Sequence, residues 1–155
     1  MDQEKLKKDL DNYIGSVNIP DISCCEDDTR CYCAYNNVNN MYDVNELEEF
    51  NINIFKCDLR SLAQKLNVNY DDLDYLFTNN HIPSKGLSIA IMIAEGYDIN
   101  RIIENLSKLK YNLGSSVSDK IIRYFITNDI RDIDLLNDML ISYGQMYLFS
   151  RKKLR

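Results

Sequence analysis

The chain has no tryptophan, a single histidine, two prolines and five glycines in 155 residues. So few Pro and Gly leave the backbone few breaks, which favours a mostly helical fold. The one histidine, His81, stands in a turn before Ile82-Pro83 with no serine or cysteine motif to make it a general base. Glycine-rich phosphate loops, dinucleotide fingerprints and the His-Glu-x-x-His zinc pattern are missing too. No apolar run reaches the ~18 residues that a membrane span requires. The opening MDQEKLKKDLDNY lacks the hydrophobic centre of a secretory signal. The expectation is a non-enzymatic cytoplasmic protein with no cofactor and no membrane partner.

What is present is enough for one domain. Apolar residues make up 45% of the chain, so a sizeable core can form and global disorder is excluded. The formal charge of −6 is unevenly spread: residues 1–50 carry four cations against twelve carboxylates, and residues 51–155 carry 14 against 12. Nucleic-acid binders draw most of their affinity from cations that neutralise phosphates. No basic stripe precedes the final Arg151-Lys152-Lys153-Leu154-Arg155, so no nucleic-acid partner is expected. Those last cations suit a helix C-terminus, with a nuclear signal or lipid contact as the sharper reading. Abundant Asn, Asp, Ile and Tyr reflect AT-rich coding more than any activity.

Taken in order, residues 3–13 form a short helix with Leu6, Leu10, Tyr13 and Ile14 on one side. From Gly15 to Asp43 the apolar period dissolves into a loop. It resumes over Val44–Phe55, capped by Asp43. Asp58 is placed to cap Leu59–Leu66, Asn69 to cap Tyr70–Thr78, and Ser84 to cap Lys85–Ala94, an unusually apolar segment suited to the core centre. Gly96 ends that helix, and Asp98 caps the next, which runs to about Asn112 before Gly114. Ser116 or Ser118 starts another, burying Ile121, Ile122, Tyr124, Phe125 and Ile126. A last helix over Asp132–Phe149 aligns Ile133, Leu136, Leu140, Tyr143 and Tyr147.

Four of the five cysteines, Cys24, Cys25, Cys31 and Cys33, fall in the first loop, and Cys57 stands further on. Their CC-x5-C-x-C spacing departs from the paired C-x2-C of zinc knuckles, and a reducing compartment opposes disulfides. Free thiols and no bound metal are expected.

Asp58-Leu59-Arg60-x-Leu62-Ala63-x-x-Leu66-x-Val68 resembles the second helix of a death domain, Asp-Trp-Arg-x-Leu-Ala-x-x-Leu-Gly-Leu in that family. Asp72-Leu73-Asp74-x-Leu76 resembles its third helix. Ile99-Asn100-Arg101-Ile102-Ile103-Glu104-Asn105-Leu106-Ser107-Lys108-Leu109 is similar to its fifth. The likeness is closest to adaptor and kinase death domains of Toll-type signalling, and spans roughly residues 44–127. Leu59 replaces the usual Trp, and the second common Trp, near Met92–Ile93, is absent. The resemblance implies an all-α, antiparallel six-helix bundle over 44–127. An acidic extension (1–43) with a helix and the cysteine loop precedes it, and a C-terminal helix with a basic tail (128–155) follows.

The implied task is assembly with another helical signalling domain, or with copies of itself, as an adaptor or decoy in innate-immune or cell-death signalling. Candidate contact residues are Asp71, Asp72 and Asp74 on one helix and Arg101, Glu104 and Lys108 on another. Carboxylates in a helix's first turn also complement its partial positive charge, so a merely solvated face needs no partner. Leu62-Ala63-x-x-Leu66-x-Val68 also fits the first helix of a repressor-type helix-turn-helix. Its recognition helix would then begin Asn69-Tyr70-Asp71-Asp72, pressing carboxylates against phosphates. A viral helical bundle that binds host signalling or apoptosis factors is the remaining alternative.

Overall fold

A computed structural model describes residues 2–17, 58–79, 81–149 and 151. These hold seven α-helices and no strand: α1 (Gln3–Ser16), α2 (Leu59–Leu66), α3 (Tyr70–Thr78), α4 (Lys85–Ala94), α5 (Ile99–Lys108), α6 (Val117–Thr127) and α7 (Ile133–Ser142). The expected helix over Val44–Phe55 and all five cysteines lie outside the described residues.

Each described helix starts on a side chain that accepts a hydrogen bond from a first-turn amide: Asp2, Asp58, Asn69, Ser84, Asp98, Ser116 and Asp132. Such caps satisfy amides that have no partner within the helix, and each is worth about 1 kcal/mol. Five helices also end alike. Asn67, Gly96, Lys110, Asp129 and Gly144 adopt positive φ after α2, α4, α5, α6 and α7. The next residue's N–H then donates to the carbonyl five positions back, as in Val68 to Ala63, Tyr97 to Met92 and Ile130 to Phe125. This paired closure satisfies orphan carbonyls and turns an apolar residue back onto the helix. Val68, Tyr97, Tyr111 and Ile130 pack on the core in this way.

Two helices are shorter than the apolar period suggests. α5 stops at Lys108 rather than near Asn112, because Lys110 enters the left-handed region. Leu109 and Leu113 are still buried, from the connecting segment. α7 stops at Ser142, before Gly144 (φ 69°). Phe149 returns to the core outside any helix, and Tyr147, expected on the buried side, is 50% exposed. At the N-terminus α1 outruns its expected end, carrying Gly15 and Ser16 in helix.

One apolar core draws on all seven helices, from Leu6 and Leu10 of α1 to Leu136 and Leu140 of α7. α4 lies at its centre, with every residue from Leu87 to Ile93 buried, as expected of a helix apolar all round. α2 and α5 pack on α4, α3 packs on α2, and α6 contacts α1, α5 and α7. Among the described residues no helix is long and apolar enough to cross a membrane.

Candidate functional site

α3 is anchored by Leu73 and Leu76, both buried, and its cap Asn69 follows directly from the left-handed Asn67 that ends α2. The helical repeat turns Tyr70, Asp71, Asp74, Tyr75 and Thr78 to the opposite side. Tyr70 is 36% exposed and Tyr75 44%, and Asp71 is exposed between them. The face therefore alternates aromatic rings with carboxylates. Asp74 accepts a long hydrogen bond from the Tyr70 hydroxyl at 3.5 Å. The guanidinium of Arg60, from α2, lies 5.4 Å from the Tyr70 ring centre, within cation–π range. His81 is exposed beyond the end of α3, its ring 5.8 Å from that of Tyr75, with Ile82 39% exposed beside it.

The turn that sets α3 against α4 is fixed from beneath. Pro83 is buried, and its carbonyl accepts from the Tyr111 hydroxyl at 3.0 Å and from Ser88 Oγ at 3.4 Å. Burial pushes the Tyr111 phenol above its ordinary range.

The second group of expected contact residues lies on α5, and no close packing joins α5 to α3. Its charges are engaged within the chain. Glu104 and Lys108 form an i,i+4 ion pair at 2.8 Å. The hydrogen bond from Lys108, and then its charge, hold the Glu104 carboxyl below the usual range. The Arg101 guanidinium sits 3.9 Å from the Tyr97 ring centre. Asp71, Asp72 and Asp74 thus share one helix, Arg101, Glu104 and Lys108 share another, and the two sets belong to different parts of the bundle.

Sequence reasoning did not single out Tyr70 and Tyr75. Their spacing from Asp71 and Asp74, one turn apart, was the available signal. Among the described residues no group of three or more His, Cys, Asp or Glu side chains is placed to hold a metal ion. Comparison with protein-family models, with curated proteins and with solved structures gave no match to this chain.

Proposed function

We propose that this chain is a protein-interaction module, an adaptor or decoy in innate-immune or cell-death signalling, acting in the cytoplasm through death-domain-like assembly. On this reading α2 to α6 are five members of an antiparallel six-helix bundle whose first helix is the segment Val44–Phe55, with α1 and α7 as additions. The observation that carries it is the outer face of α3, where Tyr70 and Tyr75 stand exposed beside Asp71 and Asp74. Tyrosine supplies contact area at low entropic cost, and carboxylates select a partner of opposite charge. The α5 charges, already paired along their own helix, contribute less: exposed i,i+4 pairs are worth a few tenths of a kcal/mol.

A DNA-binding reading draws on the three-residue turn Asn67-Val68-Asn69 between two short helices, which suits a helix-turn-helix. Its recognition helix would lead with the exposed Asp71, which repels phosphate. A mobility-shift titration with duplex DNA over a range of salt separates the two. The expected result is no shift; binding that weakens steeply with salt would favour the regulator. Charge reversal on α3, taken up in the closing paragraph of the Discussion, tests the interaction module itself.

A further inference from the structure

Past α7 the chain turns at Gly144 and folds back as a strap over α4 and α7. The Leu148 N–H donates to Asn137 Oδ1 of α7 at 2.8 Å. The Arg151 guanidinium pairs with Asp134 of the same helix. Phe149 is buried in the core at 8% exposure. Most telling is Gly86, in the first turn of α4: a Cβ there would stand 1.6 Å from the Leu148 carbonyl oxygen and 2.7 Å from its carbon. Glycine is a poor helix former, yet at this position no other residue leaves room for the strap. Residues facing away from the seat, Met146 and Tyr147, are 82% and 50% exposed.

The strap is therefore held at a seat of three parts: a glycine notch, one amide acceptor and one carboxylate. It hangs from a hinge at Tyr143-Gly144-Gln145 that belongs to no helix. We propose that this seat is an exchangeable docking site whose second occupant is the same strap from another copy of the chain. Exchange conserves each contact, since Leu148, Phe149 and Arg151 meet the same Gly86, Asn137 and Asp134 from a different molecule. Two chains joined this way would carry two α3 faces, and a bivalent partner would be held by avidity with no added contact.

Two variants of the full chain test this by complementation. Gly86→Ala closes the seat but keeps a sound strap, and Ala preserves α4. Phe149→Asp spoils the strap's apolar anchor but keeps the seat. Each alone is expected to be monomeric by analytical ultracentrifugation, with the helical circular-dichroism signal retained. In Gly86→Ala, hydrogen exchange at the Leu148 amide should quicken at least tenfold while amides of α4 are unchanged. Mixed at concentrations on the order of 100 µM, the two should form a species with the mass of one chain of each. Absence of that species, with both variants helical, overturns the proposal. Loss of helical signal by either variant alone overturns it as well, because the strap is then part of the core and not a cover. These readouts involve no captured partner, so they stand apart from the test of the α3 face.

Discussion

The Lys85 ammonium lies 2.7 Å from one carboxylate oxygen of Asp119, while the other oxygen accepts the Gly114 N–H at 2.8 Å. Asp119 is 6% exposed. The carboxylate thus exchanges water for one cation and one amide, joining the first turns of α4 and α6 and closing the connection between α5 and α6. Removing it leaves two donors with no acceptor. Asp119→Ala should cost about 2 kcal/mol in urea unfolding. Asp119→Asn keeps an acceptor for Gly114 and should cost about half as much. An unchanged midpoint for Asp119→Ala would show that the junction contributes nothing.

Lys110 ends α5 with φ at 61°, a conformation that crowds the Cβ of an L-residue. Glycine bears no such strain. Lys110→Gly should therefore raise stability by about 1 kcal/mol, read as a higher thermal midpoint with the helical signal unchanged. A lower midpoint would mean that the lysine side chain holds the turn by contacts outweighing the strain.

Tyr143 pins α1 to the end of α7. Its hydroxyl donates to Asp11 Oδ1 at 2.5 Å, with the Lys7 carbonyl 3.2 Å away. Partial burial first, and the hydrogen bond and charge of Asp11 next, push the phenol up to about 12. The folded state thus holds this proton more tightly than the unfolded chain, whose tyrosines titrate near the ordinary value of about 10. The resulting stability is complete below pH ~10 and is lost as pH rises towards ~12. Tyr143→Phe should lack this alkaline loss and remove the highest-pH step from the tyrosinate absorbance titration. A titration indistinguishable from that of the parent chain would place the shifted phenol elsewhere.

The helix starts were legible because capping is local chemistry: Asp58, Asn69, Ser84 and Asp98 each precede an apolar period and each cap the helix in the structure. The ends were less so. Leu109 and Leu113 continue the period of α5, and both are buried, so the pattern named core residues correctly while overextending the helix. Phe149 does the same beyond α7. Periodicity reports burial, and a turn that returns an apolar residue to the core looks the same as another helical turn. The acidic triplet of α3 could be read as a cluster. Its relation to Tyr70, Tyr75 and Arg60 could not, since that depends on which side of α3 is buried and on how the turn at Asn67 brings α2 alongside. The Gly86 notch had no local signal: its cause is a carbonyl 62 residues away in the sequence.

The most direct test of the α3 face is capture of partners by the immobilised chain from cytosol, compared between the parent and Asp71→Lys/Asp74→Lys. Asp138→Lys, on an exposed position of α7, serves as a charge control. The expected result is at least a tenfold loss of the captured protein for the α3 double reversal, about 1.4 kcal/mol or more, with full capture by the control and unchanged helicity in both. Equal capture by parent and double reversal would contradict the assignment and leave the carboxylates of α3 as a solvated helix start.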